Sequence, residues 1–249
     1  MTVAEYIVKR IEGTGVKHVF MVNGGGAMYL NDAFSRSEKI TPIYCHHEQA
    51  CAMAAVGYSK YRNGLAVVVT STGCGSTNAI TGLLDAWQDG CPVLFISGNV
   101  NVADTEKVGI GKKRKHGVQG ANIIELVTPI TKRAISIDKP ITILRELDSI
   151  ILTCRNELAP CWIDVPLDIQ RSEVDTLNKF DDIFESIRNA ERPIVVAGNG
   201  LAQFREEFKE FIEVTEIPFA CTYLTIDLLP SDNFWNIGRL GTKGDRAGN

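Results

Sequence analysis

Short apolar segments alternating with amphipathic ones predict an α/β protein: a parallel sheet flanked by helices, followed by the beginning of a second, Rossmann-like α/β domain. Three observations carry this expectation. Segments such as LAVVVTS at 65–71 and PVLFISG at 92–98 are apolar almost throughout, as strands covered on both faces are. Several stretches between them place apolar residues at helical spacing. Glycine-rich turns at 23–26 and 73–75 come directly after strands, where α/β proteins put helix starts and ligands.

The elements follow in order. Thr2 is placed to cap a helix over 3–12 whose Val3, Ile7, Val8 and Ile11 share one face, and Gly13 and Gly15 end it. A strand at 17–22 leads into Asn23-Gly24-Gly25-Gly26 and a helix over 28–34. Next come a strand at 43–45, an alanine-rich helix over 48–61, the strand at 65–71, a helix over 80–89 and the strand at 92–98. Pro140 sits where a helix can start and run to 156, and CWIDVP is a strand at 161–166. Residues 1–166 thus form the first domain. Residues 167–179 are polar without apolar periodicity and read as a linker. A helix over 180–190, a strand at 193–198, a helix over 204–214 and a strand at 217–222 then begin a second domain, 180–249, which is incomplete because two strands and two helices make too small a core.

Composition narrows the function. The net charge of −4 argues against a nucleic-acid binder, which needs a basic excess. No apolar run reaches the length of a membrane span, and the N-terminus lacks a signal-peptide layout. The seven cysteines show no CxxC spacing, so neither a zinc site nor a disulfide framework is suggested; most read as small core residues of a cytoplasmic protein. Trp87 and Trp162 fall on core elements. Lys112-Lys113-Arg114-Lys115 reads as a solvated loop, with an anion-binding loop as the alternative.

Two segments have the residue types and places of a ligand site. Cys45-His46-His47-Glu48 lies where a strand ends and a helix begins; there Glu48 is either a functional carboxylate or an ordinary first-turn acid facing the helix dipole. In Thr70-Ser71-Thr72-Gly73-Cys74-Gly75-Ser76-Thr77-Asn78, Gly73 and Gly75 let backbone amides approach a ligand. The phosphate-loop pattern is absent because no lysine follows, and the turn at 23–26 lacks the dinucleotide fingerprint.

Taken in order, KHVF and GGGAM, HHEQACAMAAVGYS at 46–59, TSTGCGSTNAITGLLDAWQDGCPVLFISG at 70–98 and VTPITK at 127–132 resemble the N-terminal domain of acetolactate synthase and related thiamine-diphosphate enzymes. The family's HE-x-x-A-x-x-x-A-x-G-Y motif is met by His47, Glu48, Gly57 and Tyr58, with Cys51 at its first alanine. Gly73-Cys74-Gly75 stands for the usual Gly-Pro-Gly. RPIVVAGNG and GTKGDRAGN resemble the start of the family's central domain, so the resemblance covers essentially the whole chain.

That resemblance implies a thiamine-diphosphate-binding fold and a carboligase or decarboxylase acting on a 2-oxo acid such as pyruvate. Glu48 would be the acid that activates the cofactor's pyrimidine ring by sharing a proton with a ring nitrogen. Gly24, Gly25, Gly73, Gly75 and Asn78 would line the cofactor, Asn78 having a helix N-cap as its alternative reading. His47 and Gln119 would lie near the substrate, His47 having a structural role as its alternative; Val118 stands where relatives often carry an aromatic residue. Magnesium and the diphosphate would be held by a C-terminal domain with a Gly-Asp-Gly turn. No such turn occurs here: Gly244-Asp245 is followed by Arg246. The resemblance further implies a homodimer or tetramer with the site shared across subunits, the diphosphate-binding domain lying in the same or another chain, and FAD as an optional cofactor. Two alternatives stay open: a separate pyrimidine-domain subunit of a two-chain 2-oxo acid decarboxylase, and a non-catalytic interaction module.

Overall fold

The computed structural model describes residues 1–109, 111–175, 186–241 and 244–245. They fall into two compact units, divided between Lys179 and Phe180.

The first unit is a six-stranded sheet in the order β2-β1-β3-β4-β6-β5. Its strands are β1 (His18–Met21), β2 (Thr41–Tyr44), β3 (Ala66–Thr70), β4 (Val93–Asn99), β5 (Arg133–Ser136) and β6 (Cys161–Pro166). Every pairing is parallel. The apolar runs at 65–71 and 92–98 contain the fully buried inner strands β3 and β4, so their unbroken hydrophobicity has the expected cause. Alternate strand residues feed two cores. Val19, Met21, Val67, Val69, Leu94, Ile96 and Ile163 face helices α1 (Val3–Glu12), α2 (Met28–Ser35) and α8 (Thr142–Asn156). Phe20, Val68, Phe95 and Trp162 face α3 (Glu48–Arg62), α5 (Ile80–Gln88) and α7 (Ile123–Val127).

Strand β1 feeds α2 on one face, while β3 feeds α5 on the other. The chain therefore reverses its winding between β1 and β3, the crevice where open α/β sheets take ligands at the carboxyl ends of their strands. The two glycine turns lie at those ends.

Helix α1 is set by its capping box. Thr2 Oγ1 accepts from the Glu5 amide at 3.2 Å and Glu5 Oε2 accepts from the Thr2 amide at 2.9 Å. On the edge strand β2, the Thr41 and Cys45 amides donate to β1, which leaves Pro42, one residue on, facing away where no donor is needed.

Three expectations need correction. Residues 167–175 are not a linker: Leu167–Arg171 forms helix α9, Ile169, Gln170 and Val174 are buried, and Glu173 bridges to Thr2. Trp87 is 39% exposed, whereas Trp162 is fully buried and stacked on Phe95 with ring centroids 5.0 Å apart. Strand β5 was not foreseen, because an edge strand reading Arg-Ala-Ile-Ser carries no apolar run. Short helices α4 (Cys74–Asn78) and α6 (Val102–Thr105) complete this unit.

The second unit has a three-stranded parallel sheet, β7 (Val195–Ala197), β8 (Phe219–Cys221) and β9 (Asn236–Arg239), with helix α10 (Arg205–Thr215). Ala197, Phe208, Ile212, Phe219 and Leu228 form its core. Strand β9 adds a third strand to the two expected. Most of the helix expected at 180–190 lies outside the described residues, as does most of GTKGDRAGN; Asp245 pairs with Arg239 at 2.8 Å.

Candidate functional site

Glu48 is the first residue of α3 and is 9% exposed. The helix is capped by its neighbour: His47 Nδ1 accepts from the Gln49 amide at 3.1 Å. His47 is itself exposed, and this cap is the structural role that was its alternative reading. With capping done by His47, the Glu48 carboxylate is free to turn inward. There Asn78 Nδ2 donates to its Oε2 at 2.9 Å, the only hydrogen bond to this carboxylate among the described residues.

Asn78 is the last residue of α4 and Ala79 precedes α5, so the N-cap reading of Asn78 has no counterpart. Its position depends on how closely α5 approaches α3. A Cβ on Gly82 would lie 2.4 Å from Ala52 Cβ and 2.9 Å from the Ala52 carbonyl carbon, so only glycine allows the two helices this separation.

Gly75 faces the other carboxylate oxygen: a Cβ there would sit 3.1 Å from Glu48 Oε1. Gly73 holds φ at +60° and touches the far side of the site, its missing Cβ falling 2.1 Å from the Gln119 carbonyl oxygen. Gln119 also has positive φ, at 61°. The turn after β3 is thus clasped between Glu48 and the loop carrying Gln119. The Asn23–Gly26 loop rests on the same turn: Gly24 packs against Ser71, Gly26 against Thr72, and the Gly26 amide donates to Ser71 Oγ at 3.3 Å. Gly25, Gly26, Thr72, Asn99 and Gln119 line one cavity of about 480 Å³.

Sequence reading missed the residues beneath this loop. Gln170, fully buried, donates from Nε2 to the Gly26 carbonyl at 2.7 Å and to the Val165 carbonyl at 2.8 Å. The signal was a glutamine beside Ile169 in a stretch taken as linker. It also missed Asp164, buried within β6, which accepts from Ser97 Oγ at 2.6 Å and from Asn99 Nδ2 at 2.8 Å. Burial pushes Asp164 up to about 7, against the pull of hydrogen bonds from Asn99, Ser97 and Ser136. A lone Asp inside CWIDVP was the available sign.

The geometry leaves one oxygen of a buried carboxylate without a hydrogen-bond partner among the described residues. A buried carboxylate has one oxygen held by an amide and the other beside a glycine whose side chain would crowd it. Two buried polar atoms, Thr72 Oγ1 and Asn31 Oδ1, have no hydrogen-bond partner among the described residues and flank the adjoining loop. No group of three or more His, Cys, Asp and Glu residues suited to a metal occurs among the described residues. Nor is any helix among them long and apolar enough to cross a membrane.

The parallel α/β sheet with a carboxylate at the switch-point crevice is consistent with one family in particular, and the chain belongs to it: it is a member of the thiamine pyrophosphate enzyme family. The model of that family's N-terminal TPP binding domain matches residues 1–126, and the model of its central domain matches 180–249. Within the family the chain is similar to the acetolactate synthase large subunit of Lactococcus lactis subsp. lactis, 28% identical over 267 aligned positions that take in 99% of this chain and 45% of that protein. Similar, too, are the acetolactate synthase isozyme 2 large subunit of Escherichia coli, at 28% over 100% of this chain and 47% of that protein, and the probable acetolactate synthase large subunit of Methanocaldococcus jannaschii, at 30% over 99% and 44%. The chain spans less than half the length of these relatives.

Proposed function

We propose that this chain supplies the pyrimidine-activating half of the site of an acetolactate-synthase-like enzyme, a carboligase or decarboxylase of a 2-oxo acid such as pyruvate. The observation that carries the reading is the buried Glu48 carboxylate, held by Asn78 and facing Gly75. When bound, thiamine diphosphate supplies the nucleophilic carbon and the electron sink that decarboxylation of a 2-oxo acid needs. The protein's part is to hold a proton at the right atom. Glu48 would share a proton with the pyrimidine ring nitrogen through its Oε1, while Asn78 holds Oε2. Gly73 and Gly75 keep side chains away from the ring, and Gly24 and Gly25 shape the neighbouring wall. Gln119, in the cavity with Gly25, faces the 2-oxo acid; His47 orients the start of α3 rather than touching it.

In this reading magnesium and the diphosphate are held by a Gly-Asp-Gly-bearing domain in the same or another polypeptide, and the site is completed across subunits of a dimer or tetramer. A flavin bound in the central domain would colour the purified protein yellow. The test of the reading is Glu48→Gln in the complete enzyme with thiamine diphosphate, magnesium and pyruvate. Gln keeps the shape and loses the shared proton, so turnover falls by at least about a hundredfold while the fold is retained by circular dichroism. Unchanged turnover overturns the proposal.

A further inference from the structure

We propose that Asp164 is a positioning residue for this site: through Asn99 it latches the Gln119-bearing loop to the carboxyl edge of the sheet. The inference rests on the proposed role of Gln119, although the latch itself stands on geometry alone.

Each donor in the network has one consistent place. Trp162 Nε1, which can only donate, gives its hydrogen to Ser97 Oγ at 2.8 Å. The Ser97 hydroxyl is then free to donate to Asp164 Oδ1 at 2.6 Å. Asn99 uses both amide hydrogens: one reaches Asp164 Oδ2 at 2.8 Å, the other the Ala121 carbonyl at 3.0 Å. Its Oδ1 accepts from the Val100 amide at 2.9 Å. Turning the Asn99 amide over would set its oxygen against Asp164 and leave the Ala121 carbonyl without a donor, so Asp164, Ala121 and Val100 together hold Asn99 one way round. Asn99 in turn ties down Ala121, two residues beyond Gln119. Val100 packs the same loop from below, within 3.0 Å of where a Cβ on Gly117 or Gly120 would stand.

Asn99 also divides two cavities. It lines the one of about 480 Å³ with Gln119 and Gly25, and one of about 180 Å³ with Asp164. Asp164 has no hydrogen bond to Gln119 or the glycine turn among the described residues, and Asn99 is its partner that lines the cavity with Gln119. Both oxygens of Asp164 meet a side-chain partner, Oδ1 at Ser97 and Oδ2 at Asn99. An asparagine in its place still accepts from Asn99 with its oxygen and can donate to Ser97 Oγ with its nitrogen. An alanine leaves one of the two Asn99 amide hydrogens and the Ser97 hydroxyl without this acceptor.

The experiment compares Asp164→Ala, Asn99→Ala and Asp164→Asn with the wild type in the full-length protein. Amide hydrogen exchange is read at Val100 and across 117–122, with β3 as the internal reference. Exchange in the loop and at Val100 is expected to rise about tenfold in Asp164→Ala and Asn99→Ala and to stay near wild type in Asp164→Asn, with β3 unchanged in all. Unchanged loop exchange in Asp164→Ala overturns the latch. A uniform rise that includes β3, in Asp164→Asn as well as in Asp164→Ala, overturns it too, because it makes Asp164 a core residue only. With thiamine diphosphate, magnesium and pyruvate, Asp164→Ala is expected to lose about tenfold in kcat/KM at unchanged cofactor affinity, with rescue by Asp164→Asn. Loop exchange that responds as expected in a wild type without pyruvate turnover would sink the functional reading and leave the latch standing.

Discussion

Adding one methyl group at Gly82 tests how the site is built. Two opposing effects set the sign. Alanine is a better helix former than glycine by about 1 kcal/mol, so by propensity alone Gly82→Ala in α5 stabilises. The new Cβ, however, would stand 2.4 Å from Ala52 Cβ and 3.0 Å from the Met53 amide nitrogen, where carbon atoms ordinarily settle at about 3.5–4.0 Å. Both neighbours belong to α3, backbone and a methyl that cannot rotate away, so the helices must part by more than about 1 Å. Overpacking of this kind costs about 1–3 kcal/mol, and the net expectation is a loss of up to about 2 kcal/mol after the propensity gain. Gly57, exposed in the middle of α3 with nothing within 4 Å of its would-be Cβ, is the control: Gly57→Ala is expected to stabilise by about 0.5–1 kcal/mol. Urea unfolding of both variants, followed by circular dichroism, measures the difference. Gly82→Ala as stable as Gly57→Ala would refute the close approach. It would also remove the reason for Asn78 meeting Glu48, since α5 begins two residues after Asn78 and α3 begins at Glu48.

Other outcomes follow from the same geometry. Cys74 is the one exposed cysteine among the seven; an alkylating reagent is expected to label it at least about tenfold faster than buried Cys51, Cys91, Cys154 or Cys221, whose thiols burial pushes up. Peptide mapping that finds Cys91 labelled first would contradict this. Asp164 makes stability depend on pH. Its folded value of about 7 lies above the ordinary 3.8, so the folded protein holds a proton that the unfolded chain releases. The stabilisation is present below about pH 4 and is lost as pH rises through about 7, up to about 4 kcal/mol. Relative to Asp164→Asn, the wild type is therefore expected to lose stability over that window in denaturant titrations; parallel curves for the two would exclude the burial effect.

Much of this was legible in the amino-acid order. Inner parallel strands are covered on both faces, so β3 and β4 announce themselves as unbroken apolar runs. The cap at Thr2 and the glycine after α1 are local signals, and local geometry obeyed them. Edge strands β5 and β9 meet water on one side and carry mixed residues, which left them unmarked. The same weakness made 167–175 look like a linker: its few apolar residues, Ile169 and Val174, are enough to dock against a sheet but too few to show a period.

Local residue order places a carboxylate, Glu48, at the start of a helix after a strand, in a chain with two glycine turns. Which atoms face which was decided only by strand order and register. Asn78 reaches Glu48 across 30 positions, Gln170 reaches Gly26 across 144, and Asn99 reaches Asp164 across 65. The last pair exists because Ser97 stands opposite Asp164 in the β4–β6 ladder. A slip of one residue in that ladder would turn Asp164 to the other face of the sheet, among the aliphatic side chains beneath α8. Side-chain direction in a strand alternates with every residue, so partners distant in sequence are fixed by pairing and not by the local composition around either one.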